Sequence, residues 1–212
     1  MENRPVPQLA ILISGRGSNF QAIAEAIDGG RIPARIAVVI SNRADALGLV
    51  HARECGLTTR VIPHGEYESR DAYDRALIAA IREYGVRLTC LAGFMRRLGP
   101  AFCHAFPNAI LNIHPSLLPA FPGADAQRQA LEHGAKVAGA TVHFVTPELD
   151  AGPIVMQATV PVEDDDTVTT LSDRILAEEH RIYPEAIRRL MAEPWRIEGR
   201  RVVFTKGAAS LR

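Results

Sequence analysis

Asn112 and His114 stand two residues apart in the stretch Leu111-Asn112-Ile113-His114-Pro115-Ser116-Leu117-Leu118-Pro119. The apolar lead-in, Asn108-Ala109-Ile110-Leu111, reads as the last residues of a buried strand. Side chains two apart in an extended segment leave the same face, and Pro115 keeps His114 out of the helical region. An amide donor and a titratable imidazole are thus presented side by side where a strand runs into a loop. In open α/β sheets ligands bind at the carboxyl ends of strands. The chemistry open to such a pair is proton transfer and stabilisation of an oxyanion. The alternative is that the two side chains only tie the loop to the sheet.

A second constellation is Ser14-Gly15-Arg16-Gly17-Ser18-Asn19, set between the apolar run Leu9-Ala10-Ile11-Leu12-Ile13 and a helical pattern over 20–27 closed by Gly29-Gly30. A glycine-rich turn feeding a helix start points backbone N–H groups and the positive dipole end at one spot, which suits a phosphate. It is not a Walker loop, since no lysine follows at the required spacing. It is not the dinucleotide fingerprint either, because Phe20 stands where the third glycine would be. A plain turn with Ser18 or Asn19 as N-cap explains the same residues equally well.

The elements that position these residues alternate. Ile36-Ala37-Val38-Val39-Ile40 is a second buried strand, followed by a helix over 44–55 with Gly56 as its stop. A short strand over 60–62 precedes an amphipathic helix opened by Ser69-Arg70-Asp71, with Ala72, Ala76, Leu77, Ala80 and Ile81 on its apolar face. Leu88-Thr89-Cys90-Leu91-Ala92 is the next strand, and a short helix over 100–106 leads to the strand before Asn112. Strands alternating with helices imply parallel pairing, so the fold class is α/β, a doubly wound and mostly parallel sheet. Beyond Pro119 the texture changes. Ala120-Phe121-Pro122-Gly123-Ala124 reads as a surface loop and candidate lid, followed by a helix over 125–133. Strands over 139–145 and 153–160 then pair antiparallel at the sheet edge, Thr167 caps a helix through 191, and Gly199-Arg200 marks a hairpin. No repeat or composition break divides the chain, so residues 1–212 are read as one domain.

Composition narrows the function. Of 212 residues 47% are hydrophobic and 23% charged, the balance of an ordinary globular protein. The formal net charge is zero and Lys and Arg form no run, which argues against nucleic acid or an anionic membrane as partner. Cys55, Cys90 and Cys103 show no metal-ligand spacing and read as reduced, mostly buried thiols of a cytoplasmic protein. Neither a signal region nor a bilayer-spanning stretch is expected. His143 reads as a structural strand histidine, and His51, His64, His104 and His133 as surface or capping residues.

The turn 14–19, Gly93-Phe94-Met95-Arg96, the stretch 111–119 and Leu149-Asp150-Ala151-Gly152-Pro153 occur in one order, and over nearly the whole chain the sequence resembles the phosphoribosylglycinamide formyltransferase family. That resemblance implies a Rossmann-like formyltransferase fold with an antiparallel C-terminal portion. It also implies a reaction of purine biosynthesis in which 10-formyltetrahydrofolate gives its formyl group to glycinamide ribonucleotide, with no metal. By the same resemblance Asn112, His114 and Asp150 are the catalytic trio. Gly17, Ser18, Asn19 and Glu179 bind the ribonucleotide. Arg70, Met95, Arg96, Arg97, Leu98, Asn112, Thr146, Pro147, Glu148, Leu149 and Asp150 form the folate site. Partners are then small-molecule substrates, with neither nucleic acid nor membrane, and the enzyme a monomer or homodimer. Arg97, Leu176 and the segment Ala124-Asp125-Ala126-Gln127 depart from the family pattern. A formyltetrahydrofolate hydrolase, a methionyl-tRNA formyltransferase and a catalytically silent nucleotide-binding regulator are the competing readings.

Overall fold

The computed structural model describes residues 5–205. Its contacts divide the chain into two compact units, one up to Asn112 and one from Ile113 onward.

The first unit alternates β1 (Gln8–Ile13), α1 (Ser18–Asp28), β2 (Arg35–Ser41), α2 (Leu47–Glu54) and β3 (Thr59–Val61), then α3 (Arg70–Arg82), β4 (Leu88–Leu91) and α4 (Pro100–Ala105), and ends at Asn112 within β5 (Ile110–His114). The strands lie in the order β3-β2-β1-β4-β5, all parallel. β1 is central, and Leu9, Ala10, Ile11, Leu12 and Ile13 are completely buried, as a run apolar on both faces requires. The chain order runs outward from β1 to β2 and β3 on one side, then restarts with β4 and β5 on the other. Between β1 and β4 lies the switch point, where open α/β sheets bind ligands. The turn 14–19 leaves the carboxyl end of β1, the loop 93–99 that of β4, and Asn112 pairs with Leu91 at the end of β4.

The second unit holds α5 (Ala126–Glu132), β6 (Val137–Phe144), β7 (Ile154–Pro161), α6 (Val168–Ala192), β8 (Trp195–Glu198) and β9 (Arg201–Phe204). β6 and β7 pair antiparallel with an irregularity between Val142 and His143, β8 and β9 form the expected hairpin, and β9 joins β7 in parallel. A capping box between Thr167 and Thr170 opens α6, whose face Leu171, Ile175, Ile182, Ala186, Ile187 and Leu190 is buried. The α/β class, the parallel portion and the antiparallel C-terminal portion are therefore as the sequence implies.

Three local readings change. Neither Ser18 nor Asn19 caps α1: both lie inside its first turn, and Gly17 takes the N-cap position with no side-chain bond. The strand read from Asn108 onward begins at Ile110, after Asn108 in a left-handed conformation, and runs through Asn112 to His114 as their extended spacing implies. On α3 Ala72 and Ala76 are only half-buried, and Tyr73 and Asp74 take their places inside.

Candidate active site

In the first unit the glycine-rich turn is built by backbone. Gly17 sits at φ 75, where a side chain is strained, and a Cβ there would come 3.1 Å from the Gly48 Cα. Gly48 N–H in turn donates to the Gly15 carbonyl at 3.0 Å. The first α1 hydrogen bond runs from Gln21 N–H to the Gly17 carbonyl, and no acidic side chain occupies the first turn. The N–H groups of Ser18, Asn19 and Phe20 thus belong to the helix's donor end, with the dipole behind them.

The loop after β4 carries Met95, Arg96, Arg97 and Leu98. Met95 is 74% exposed, Arg96 and Arg97 are exposed, and Leu98 is buried. Ser14 N–H donates to the Gly93 carbonyl at 3.1 Å, joining this loop to the first turn. Arg70, the first residue of α3, lies beside the loop's end: its Cδ is 3.6 Å from the position of a Cβ on Gly99. Arg70, the 95–98 loop and the 14–19 turn are therefore brought together at the switch point, and Asn112 lies half-buried on the neighbouring strand end.

In the second unit His114 and Asp150 meet. His114 is 6% exposed, and its Nδ1 lies 3.6 Å from Asp150 Oδ2. Its Nε2–H donates to the Phe121 carbonyl at 3.0 Å. Asp150 Oδ2 also accepts from Gly123 N–H at 2.8 Å. Both ring nitrogens of His114 thus face oxygen acceptors, which fixes the orientation of the ring. Asp150 itself is held at φ 49, a costly conformation for a residue with a side chain. Close approach fixes it: at Gly152 a Cβ would overlap the Phe144 carbonyl, so the turn lies directly on the end of β6.

His143, read from sequence as structural, is more than that. It is 2% exposed at the irregularity of β6, and its Nε2 lies 3.8 Å from Asp150 Oδ1 while Nδ1 donates to the Phe144 carbonyl. Burial holds its imidazole below the ordinary range, the Phe144 carbonyl and Asp150 opposing and His114 adding. The carboxylate therefore stands between two histidines. Neither this pairing nor the backbone groups of Phe121 and Gly123 left a signal in the sequence.

Thr146 Oγ1 donates to the Glu148 carbonyl at 3.3 Å, Pro147 is half-buried, and Leu149 is 51% exposed. Glu179 is buried on α6, whereas Glu178 points outward and pairs with Arg181. Leu176 is half-buried, and Ala124 offers its carbonyl to Gln129. The candidate lid is hydrogen-bonded to His114 and Asp150 through Phe121 and Gly123. Two cysteines, Cys90 and Cys103, are buried and Cys55 is exposed. Among the described residues no cluster of His, Cys, Asp or Glu is arranged to hold a metal, and no helix is long and apolar enough to cross a membrane.

The model of the formyl transferase family matches residues 7–187, and the chain belongs to that family. The chain is 48% identical to phosphoribosylglycinamide formyltransferase of Escherichia coli, with 84% of each covered. It is also 47% identical to a portion of the human trifunctional purine biosynthetic protein adenosine-3, spanning 18% of that longer protein. Among solved structures, glycinamide ribonucleotide transformylase 1 of Symbiobacterium toebii superposes with a TM-score of 0.93 at 58% identity, covering 95% of each chain. The Coxiella burnetii phosphoribosylglycinamide formyltransferase gives 0.89 at 42% identity, covering 94% of each.

Proposed function

We propose that the chain transfers the formyl group of 10-formyltetrahydrofolate to the amine of 5'-phosphoribosylglycinamide, giving N-formylglycinamide ribonucleotide and tetrahydrofolate in de novo purine biosynthesis. The observation that carries this reading is the buried His114–Asp150 pair at the end of β5, in a chain of the formyl transferase family. The whole chain acts as one catalytic domain, a monomer or homodimer of the cytoplasm, on small molecules alone and without a metal.

Asn112 donates its amide N–H to the formyl oxygen as the amine attacks and charge builds there. Buried His114 lends its Nε2–H to the same developing charge when the formyl oxygen takes the place of the Phe121 carbonyl. Asp150 orients that ring and takes up the proton that the attacking amine loses, directly or through water. The folate nitrogen gains a proton as it leaves, so the acid–base balance of the site closes. Gly17, Ser18 and Asn19 hold the phosphate of the ribonucleotide by backbone N–H groups and the α1 dipole, and Glu179 binds its amine-bearing portion. Met95, Arg96, Arg97, Leu98 and Arg70, with Asn112 and the turn Thr146, Pro147, Glu148, Leu149 and Asp150, receive the formyl donor. The exposed apolar side chain of Met95 suits one face of a flat heteroaromatic ring.

The test is loss of the formyl group from 10-formyltetrahydrofolate, followed with and without the ribonucleotide. Loss that requires the ribonucleotide is expected. Equal loss in its absence would make the chain a hydrolase.

A further inference from the structure

Ser14 and Asp74 have no part in the chemistry above, yet each is a buried polar side chain bonded to the backbone of one loop. Ser14 is 6% exposed. Its Oγ accepts Met95 N–H at 2.8 Å and donates to Asn42 Oδ1 at 2.6 Å, so the hydroxyl cannot swing away. Asn42 is buried after β2, and its amide contacts His64 Nδ1 at 3.2 Å. With Ser14 N–H on the Gly93 carbonyl, the start of the loop is held at two consecutive odd positions, 93 and 95.

The far end is held by a different element. Asp74, on the inner face of α3, is completely buried, and its Oδ2 accepts Gly99 N–H at 2.7 Å. The Gly99 carbonyl receives Phe102 and Cys103 N–H groups at the start of α4, so this peptide is fixed on both sides. A Cβ at Gly99 would stand 2.6 Å from Asp74 Oδ2, so no side chain fits there without breaking the contact. Burial pushes the Asp74 carboxyl above its ordinary range, Gly99 N–H opposing, Asp71 adding and Arg70 opposing. Asp74 Oδ1 is buried without a hydrogen-bond partner among the described residues, so the Gly99 N–H is the contact that offsets the burial of this carboxyl.

We propose that Ser14 and Asp74 are positioning residues for the formyl donor, fixing both ends of loop 93–99 so that the backbone edge of Met95, Arg96, Arg97 and Leu98 is in its binding conformation before the donor arrives. This rests on the reading of that loop as the folate edge. A loop that must be ordered by its ligand binds more weakly by the fraction of time it is competent.

Steady-state kinetics on Asp74→Ala, Gly99→Ala, Ser14→Ala and Asp74→Asn, with hydrogen exchange across 93–103 with and without donor, tests this. Asp74→Ala and Gly99→Ala are expected to raise KM for 10-formyltetrahydrofolate about tenfold, with kcat and the ribonucleotide KM changed no more than about threefold. Loop amides should exchange faster in the donor-free variants. Asp74→Asn keeps an acceptor for Gly99 N–H and should restore the donor KM. If Asp74→Ala does not fold, Gly99→Ala and Ser14→Ala decide the matter from the other partners. Folded variants with an unchanged donor KM, or with both substrate KM values raised alike, would overturn the proposal. If donor fails to slow exchange across 93–99 in the unaltered enzyme, the folate reading of the loop is itself wrong; slowed exchange with unaffected variant KM refutes the positioning role alone.

Discussion

Asp150 touches three groups with two oxygens: His114 at 3.6 Å, His143 at 3.8 Å and the Gly123 N–H at 2.8 Å. Asp150→Asn keeps the shape but removes the carboxylate that faces His114 and would take up the proton of the attacking amine. The loss is expected mainly in kcat, about 10²–10⁴-fold, with ribonucleotide affinity little changed. Combining it with His114→Ala should cost hardly more than the worse single change, since groups acting as one unit are not additive. Additive losses in that cycle would refute the coupling. His143 makes a separate, pH-dependent prediction. Above its ordinary value of 6.5 the ring is neutral whether the chain is folded or not. Below 6.5 the unfolded chain takes up a proton that the folded chain refuses, so stability falls with pH until the lower folded value is passed. This group's share of the slope is at most about 1.4 kcal/mol per pH unit. Urea melts between pH 5 and pH 8 should therefore show a shallower acid-side decline in His143→Gln; identical slopes would contradict it. The pair of Asn112 and His114 was legible from residue type and spacing, whereas the second histidine on Asp150 was not. Its partner lies seven residues on, past a strand irregularity and a left-handed turn, neither of which leaves a mark in periodicity.

At the scale of elements, buried Thr141 on β6 is what brings Phe121 to His114. Its Oγ1 donates to the Ser116 carbonyl at 2.6 Å and accepts from Leu118 N–H and Gln157 Nε2, while Ser116 Oγ closes the turn onto the Ala120 carbonyl. Thr141→Val keeps the volume but leaves two buried backbone groups, the Ser116 carbonyl and the Leu118 N–H, short of a partner, while exposed Gln157 keeps its bond to the Leu118 carbonyl. It should cost about 2–4 kcal/mol of stability, read from the denaturation midpoint, and lower kcat by loosening the loop. A cost below about 1 kcal/mol would show that the loop is held by other means. At the α1 turn, Gly17→Val forces a side chain into a left-handed position 3.1 Å from the Gly48 backbone. Ribonucleotide affinity should fall by an order of magnitude or more with donor affinity preserved, as titration of each ligand would show. The strands and helices around these loops were readable because continuous apolar runs and 3.6-residue periodicity reflect burial directly. The loops were not: Gly17 took the cap position of Ser18 and Asn19 through its left-handed backbone, and the segment 120–124 is tethered by the side chains of His114 and Asp150 to its own backbone, neither of which periodicity records.

For the whole molecule, family membership and the identity shared with named formyltransferases settle the class of reaction, while the residues set its direction. The 14–19 turn and the 93–99 loop gather at the switch point of the first unit, and His114, Asp150 and His143 gather in the second. The charge balance of zero and the small-molecule character of these features agree with a metabolic enzyme. The central claim is that the formyl carbon passes to an amine and not to water. The most direct measurement is mass spectrometry of the products formed from donor labelled with carbon-13 in the formyl group, in the presence of 5'-phosphoribosylglycinamide. The account predicts one labelled formyl group in the ribonucleotide for each tetrahydrofolate released, with labelled formate at background and both products lost in His114→Ala. Labelled formate accumulating in step with tetrahydrofolate, and an unlabelled ribonucleotide, would contradict it.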